Sequence, residues 1–318
     1  MINCVLRPSH RLAKTALLIA ITGFNLLAAN TNFAASNIED ANKDEGKSFR
    51  VFEGVDLVST LTFQYARPRI VAKSVFPQLR SDSANEPIDG FNQLVTDFVQ
   101  QKVDEFKLNV SQNQAPKQKL PKSIFKNDLY IDFATSFVQS GNDPIISIRF
   151  NIQGNIAGLA HPYHHHYVLN YDLESGEALD LEDLFKPNSN YLQVLSDYTS
   201  DVLRKRHLRD KSLISEGTAP RAENFKNWNI KPNGLLITFD EYQVASYVEG
   251  AQTVLVPYSA LTDVIDDESP LAGCILHKKR CLRSNVLTGG FIDEAANKHR
   301  STFVDPRHGF LNPSLSKR

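Results

Sequence analysis

The sequence has no excess of charge of either sign: it holds 35 basic and 36 acidic side chains, and the formal net charge of its 318 residues is −1. Nucleic-acid-binding proteins carry a strongly basic surface, so we expect no nucleic-acid partner. Arg7, Arg11 and Lys14 precede every acidic residue. Without these three cations the chain has 32 basic and 36 acidic side chains, and is therefore mildly acidic.

Long apolar runs are also missing. A membrane-spanning helix needs about 20 mainly apolar residues, and the one candidate, residues 15–37, is diluted by polar side chains. A basic start before a short apolar core predicts a signal peptide over residues 1–35, and hence a periplasmic or secreted protein. Ala34 and Ala35 offer a cleavage site. Because Phe33 stands where a small residue is preferred, an uncleaved membrane tether is the alternative; after cleavage we expect no membrane span.

Cysteine is scarce, with three residues in the chain. Cys4 lies before the apolar core, which argues against a lipoprotein. Cys274 and Cys281, with six residues between them, favour a local disulfide in an oxidising compartment, and two free buried thiols are the alternative. A zinc site that includes His277 is not expected, because a fourth ligand is missing.

Local signatures of catalysis are absent. The sequence has no Gly-x-Ser-x-Gly elbow, no His-Glu-x-x-His, no phosphate loop and no Gly-x-Gly-x-x-Gly. These absences remove the usual support for nucleophilic, zinc and nucleotide chemistry, and we expect no cofactor. A dispersed active site remains an alternative, because spacing does not reveal which distant residues meet.

Apolar periodicity predicts the secondary structure. Spacings of three and four residues predict a first helix capped by Asp89 and a second over about residues 190–207. The apolar face of the first helix is expected to hold Phe91, Leu94, Val95, Phe98, Val99, Val103 and Phe106. Alternating positions predict strands near residues 61–65, 129–133, 146–152, 167–171, 235–239 and 253–257. This order favours an α+β fold with a mainly antiparallel sheet and two long amphipathic helices.

Several ordered segments resemble the RsiV/PdaC-like extracytoplasmic domain. They are residues 63–68 (FQYARP), 88–92 (IDGFN), 157–162 (AGLAHP), 170–176 (NYDLESG), 179–185 (LDLEDLF), 234–242 (GLLITFDEY) and 254–258 (VLVPY). The resemblance covers about two thirds of the chain. The expected segments are a signal peptide (1–35), a polar linker (36–50), an N-terminal PdaC-like part (51–115), a C-terminal RsiV-like part (116–265) and a loosely structured, Cys-containing tail (266–318).

The resemblance implies a cell-envelope domain that binds rather than catalyses. RsiV is a lysozyme-sensing anti-sigma factor, and in PdaC the domain precedes a deacetylase domain. We expect neither activity here, because only 14 residues precede the apolar stretch and no deacetylase domain follows. The expected ligand is a lysozyme-like protein or, second, peptidoglycan. The alternative function is an envelope hydrolase.

Histidines and tyrosines are the candidate binding residues. His164 and His166 alternate along a predicted strand and share one face, close to His161. We favour a His-rich loop entering a strand over a metal site, because no acid or cysteine stands at ligand-like spacing, and a pH-dependent contact is a further option.

The acids of residues 172–183 do not follow the spacing of a calcium loop and are explained by a turn and a helix start. Tyr163, Tyr242, Tyr247, Tyr258 and Trp228 are candidate contacts for a sugar or a protein, and of these we select the first three.

Overall fold

The structure, a computed structural model, describes residues 49–66, 70–113, 127–140, 143–159, 161–276, 281–283 and 288–289. All of them belong to one compact unit, Ile38–Arg318. The predicted signal peptide, residues 36–48 of the predicted linker and residues 290–318 of the predicted tail lie outside the described residues.

One large sheet dominates the described part of the chain. Its strands are β1 (Phe49–Phe52), β2 (Val55–Ala66), β3 (Ile70–Ser81), β4 (Asn127–Ser140), β5 (Asp143–Asn155), β6 (Tyr163–Asp172) and β7 (Glu177–Ala178), in that spatial order. Neighbouring strands are antiparallel, except that β3 and β4 are parallel. The short strands β11 (Cys281–Arg283) and β12 (Thr288–Gly289) also pair with β4.

Helix α1 (Glu86–Gln112) connects the two parallel strands and covers one side of the sheet. Its N-cap is Asn85, four residues before the predicted cap Asp89, because the Asn85 side chain accepts a hydrogen bond from the Ile88 backbone N–H and Pro87 occupies the first turn. Most of its predicted apolar face is buried, but Leu94 is 40% exposed. The remaining face carries polar side chains that bond to one another four residues apart, such as Gln93 and Asp97.

A second layer follows β7. Its helices are α2 (Tyr191–Arg204), α3 (Ser212–Gly217) and α4 (Ala272–Ile275), its 3₁₀ helices are Leu181–Leu184, Ala222–Phe225, Tyr247–Glu249 and Tyr258–Ala260, and its strands are β8 (Trp228–Lys231), β9 (Gly234–Phe239) and β10 (Gln252–Pro257). The three strands form an antiparallel sheet in the order β10-β9-β8. The predicted pairing of residues 235–239 with residues 253–257 is therefore confirmed.

The alternation of side chains along β4 and β5 divides the core in two. On the side here called the helix face, Ile131 and Phe150 pack with the buried residues of α1. On the opposite side, here called the far face, Val138 and Ile145 pack with the residues of the second layer. Successive side chains of a strand point to opposite faces, so a single sheet supports both cores.

The predicted α+β class with a mainly antiparallel sheet and two long helices is confirmed. The periodicity missed β3, which is buried on both faces and contains Pro77, and it missed the four-residue β8. The expectation of a loose tail from residue 266 is wrong for its described start, since Leu271, Cys274 and Ile275 are buried in the second core. No helix within the described ranges is long and apolar enough to cross a membrane.

Candidate functional site

Strand β6 presents two of its three histidines, His164 and His166, on the far face. His164 pairs with Gln153 and His166 with Asn151 in the register of β5 and β6, so both imidazoles point away from α1. Tyr163 lies on the opposite side, where its ring rests against the backbone of Gly154 and packs on the core under α1. Burial raises the pKa of Tyr163 to about 12. The structure thus separates Tyr163 from the other predicted site residues.

Each of the two histidines meets a carboxylate from the segment after β9. The Nδ1 atom of His166 lies 2.6 Å from Oδ1 of Asp240, and the Nδ1 atom of His164 lies 3.5 Å from Oε1 of Glu241. The Nδ2 amide of Asn227 donates a second hydrogen bond, 3.3 Å long, to Asp240. Two consecutive acids therefore anchor this loop to alternate positions of β6.

Next to these histidine–carboxylate pairs, four rings lie together and form what we call the aromatic platform: His161, His164, Tyr242 and Tyr247. The Tyr247 ring is central, with centroid distances of 4.7 Å to His161, 5.8 Å to Tyr242 and 6.3 Å to His164. The interplanar angles are 36°, 27° and 21°, so each of these rings is roughly parallel to the Tyr247 ring. Tyr242 is 58% exposed, and the hydroxyl of Tyr247 donates a hydrogen bond of 3.1 Å to the carbonyl of Pro162.

The loop that carries the tyrosines is held tightly by its own polar groups. Tyr242 adopts a positive φ of 67°, and its N–H donates to the carbonyl of Ala245. A capping box between Ser246 and Glu249 starts the 3₁₀ helix that begins with Tyr247. The Gln243 amide donates to the carbonyl of Gly217, where any β-carbon would lie 1.9 Å from the Gln243 carbonyl oxygen. Gly217 thus allows the close approach that fixes this loop.

A charge cluster, defined as Arg149, Asp132 and Asp240, lies beneath the platform on the far face. Desolvation lowers the pKa of Arg149, while the charges of Asp132 and Asp240 act in the opposite direction. Its Nε atom is shielded from solvent, and one terminal nitrogen lies 3.4 Å from the Thr238 hydroxyl. Asp132 also accepts a hydrogen bond from the Asn151 amide. Asp240 therefore acts electrostatically on Arg149 and also bonds to His166, two residues along β6 from the platform residue His164.

The protonation of the loop residues reflects these contacts. Burial raises the pKa of Glu241, but the hydrogen bond with His164 and the charges of His164 and His166 lower it by more, so the net shift is downward. Burial, followed by the charge of Glu241, raises the pKa of Tyr247. Glu241 is thus kept ionised and Tyr247 neutral, and the platform presents aromatic faces with an anion beside them.

A cleft of about 180 Å³ opens beside β6. It is lined by His165, His166, Tyr167, Val168, Lys226, Asn227 and Asp240. The pair of His166 and Asp240 could serve as a general base, but the lining contains no serine, threonine or cysteine that it would activate. Within the described residues, no group of three or more His, Cys, Asp or Glu side chains is placed to hold a metal ion.

Two of the aromatic residues weighed from the sequence are structural. Trp228 is 4% exposed and Tyr258 is 8% exposed, both in the second core. The Tyr258 hydroxyl donates to the carbonyl of Lys231. The structure therefore brings together His161, His164, His166, Tyr242 and Tyr247, whereas Tyr163 faces the other core.

The sequence pattern did not identify Asp132, Arg149, Asp240 and Glu241 as candidate site residues. These residues come from three separate strands or strand ends, and no fixed spacing connects them. A usable signal was present in Arg149 and Asp132, since each is a charged residue between large apolar residues of a strand.

The comparisons with known proteins agree with the predicted resemblance. Residues 182–259 match the family model DUF3298, described as a protein of unknown function. The peptidoglycan-N-acetylmuramic acid deacetylase PdaC of Bacillus subtilis is 28% identical over 189 residues, which are 59% of this chain and 35% of the deacetylase. The chain thus spans about a third of the length of that relative. The resemblance of this chain to the PdaC-like domain family is confirmed.

Two solved structures are also similar. A DUF3298 family member from Bacteroides fragilis has a TM-score of 0.49 at 16% identity, covering 73% of this chain and 98% of the other. A DUF3298 family protein from Pseudomonas aeruginosa has a TM-score of 0.41 at 12% identity, covering 69% of this chain and 95% of the other.

Proposed function

We propose that the protein is a non-catalytic binding protein of the cell envelope and that the aromatic platform binds the glycan of peptidoglycan. The observation that carries the proposal is the cluster of rings packed roughly parallel to Tyr247, with Tyr242 largely exposed. The PdaC relative, by its name, acts on a peptidoglycan sugar. That similarity supports an envelope location and a peptidoglycan ligand for this chain.

The chemistry of a sugar fits such a platform. A pyranose ring presents an apolar C–H face, which gains dispersion energy against an aromatic face, and hydroxyl and amide groups at its rim, which need hydrogen bonds. Tyr242 and Tyr247 supply the aromatic faces, while Glu241 and His164 lie at the edge as polar partners. The adjacent cleft is lined by one carboxylate, Asp240, whereas hydrolysis of a glycan generally uses a pair of carboxylates, which favours binding over catalysis.

Retention assays test this proposal. The mature protein is incubated with purified, protein-free peptidoglycan, with immobilised lysozyme and with a bare matrix, and release of soluble sugar is followed in parallel. We expect retention on peptidoglycan, weakened about tenfold by Tyr247→Ala, because a well-packed aromatic contact contributes about 1.5 kcal/mol. Tyr247→Phe keeps the ring and is the matched control.

The other outcomes have distinct meanings. Binding to lysozyme without binding to peptidoglycan would favour the lysozyme-like partner expected from the sequence. Release of soluble sugar without stable retention would favour the hydrolase.

A location outside the cytoplasm is part of the proposal, supported by the envelope relative and by the basic, apolar start of the sequence. We also propose the disulfide between Cys274 and Cys281. The backbone N–H of Cys274 donates to the Ser140 hydroxyl, and the register of β11 with β4 pairs Cys281 with the same Ser140. Both positions thus converge on one residue of β4.

Alkylation with and without reductant tests the disulfide. We expect no alkylation of either cysteine in the unfolded mature protein until reductant is added, followed by the mass shift of two labels. The closed loop is short, so its loss through Cys281→Ser should lower the free energy of unfolding by about 2 kcal/mol. Ser269→Ala, near the loop but without a thiol, is the control. Two labels without reductant would refute the pairing.

A further inference from the structure

A row of side chains crosses the far face of the large sheet and ends at the aromatic platform. The strand registers pair Phe63 with Lys73, Lys73 with Tyr130, Tyr130 with Gln153, and Gln153 with His164. Residues that pair directly across neighbouring strands point to the same face. One residue from each of β2, β3, β4, β5 and β6 therefore lies on a line at right angles to the strands.

The far face is partly covered, and the row lies in its accessible part. Near the other end of β4 and β5, Val138 and Ile145 pack against the second layer. In the row, by contrast, Tyr130 is 47% exposed and Gln153 is also exposed. Tyr65, two residues beyond Phe63 on the same face of β2, is 61% exposed. Exposed aromatic side chains that lie on one face of a sheet and continue into a cluster of rings are typical of a binding surface.

The composition of the row alternates rings with polar groups. Phe63, Tyr130 and His164 supply ring faces, and Lys73 and Gln153 stand between them. The ammonium of Lys73 lies 5.5 Å from the centroid of the Phe63 ring, which holds this cation in place on the sheet. His164 then connects the row to Tyr247, 6.3 Å away between ring centroids. Ring faces alternating with hydrogen-bonding groups match the alternation of C–H faces and polar substituents along a sugar chain.

The length of the row indicates a polymer. Neighbouring strands lie about 4.8 Å apart, so the four spacings from β2 to β6 extend for about 19 Å. The platform extends this line beyond β6 through Tyr247 and Tyr242. A single sugar would occupy only the platform, whereas a line of this length has room for several sugars in succession.

We propose that the row from Phe63 to His164 is a continuation of the platform and binds an extended amino-sugar strand, laid across the sheet at right angles to its strands. This inference rests on the proposed function and specifies its ligand as a chain of several sugars. Successive sugars contact Tyr247, His164, Tyr130 and Phe63 in turn. Lys73 adds a cation that suits the carboxylates carried by the muramic acid units of peptidoglycan.

Dependence on chain length is the test. Affinities are measured for peptide-free peptidoglycan strands and for neutral N-acetylglucosamine oligomers, each as disaccharide, tetrasaccharide and octasaccharide. For the native protein we expect the octasaccharide to bind at least about tenfold more tightly than the disaccharide. Tyr130→Ala should remove most of this gain and leave the affinity for the disaccharide unchanged. Lys73→Gln should lower affinity for the carboxylate-bearing strands only.

Controls separate this inference from the proposed function. Leu108→Ala removes an equally exposed apolar side chain from α1, on the other side of the sheet, and should change no affinity. Phe63→Ala serves as a second row variant if Tyr130→Ala is poorly folded. Affinity that does not rise with length, or that rises equally in the row variants, overturns the extended row while leaving the platform intact. Absence of glycan binding at every length overturns both.

Discussion

Arg149→Met is expected to lower the free energy of unfolding by about 3 kcal/mol, because nearby carboxylates would lose the compensating charge of a desolvated cation. The Arg149 guanidinium is desolvated, and the negative charges of Asp132 and Asp240 act on it. Methionine has a similar length and no charge, so the substitution leaves Asp132 and Asp240 without the positive charge of Arg149. Urea denaturation, monitored by the fluorescence of Trp228, measures the change.

The matched control is Arg221→Met. Arg221 pairs with Glu216 at the surface, where both side chains are largely exposed, and an exposed ion pair contributes less than about 1 kcal/mol. The double variant Arg149→Met with Asp132→Asn should recover part of the loss, because one uncompensated carboxylate is removed. Equal stability of Arg149→Met and Arg221→Met would show that the charge cluster contributes nothing to the fold.

The elements that could be predicted from the sequence are those whose local pattern agrees with their environment. Helix α1 has one buried face and one solvated face, and β9 and β10 alternate, so their periods are visible in the sequence. Strand β3 could not be found in this way, because both of its sides are largely buried. Strand β3 pairs in parallel with β4, and α1 connects the two strands. This pairing depends on tertiary packing, which the local periodicity of the sequence does not indicate.

The candidate site was predictable only in part, for a related reason. His164 and His166 were placed together because they alternate within one strand, and that property is local. Their partners Asp240 and Glu241 are separated from them by 74 and 77 positions, and the packing of the second layer on the far face brings them close. Tyr163 was predicted to belong to the same site, although the period of two places an odd-numbered residue of β6 on the face opposite His164 and His166.

Tyr242 combines a strained backbone, which lowers stability, with an exposed ring, which is available for binding. Its φ of 67° lies in the left-handed region, which costs a residue with a β-carbon about 1 kcal/mol relative to glycine. Its ring is 58% exposed and lies 5.8 Å from the Tyr247 ring, so it gains little from burial. A strained backbone that holds a large exposed ring is expected at a binding site rather than in a structural turn.

Tyr242→Gly should therefore separate binding from stability. Loss of this exposed ring of the platform is expected to weaken glycan binding about thirtyfold, which corresponds to the 2 kcal/mol that an aromatic hot-spot residue contributes. Tyr242→Ala should weaken binding equally, because both variants lack the ring. The glycine variant should be about 1 kcal/mol more stable than the alanine variant, since only alanine keeps the backbone strain. Titration with peptidoglycan strands and urea denaturation measure the two effects. A glycine variant that binds like the native protein would remove Tyr242 from the site, and equal stability of the two variants would show that its backbone carries no strain.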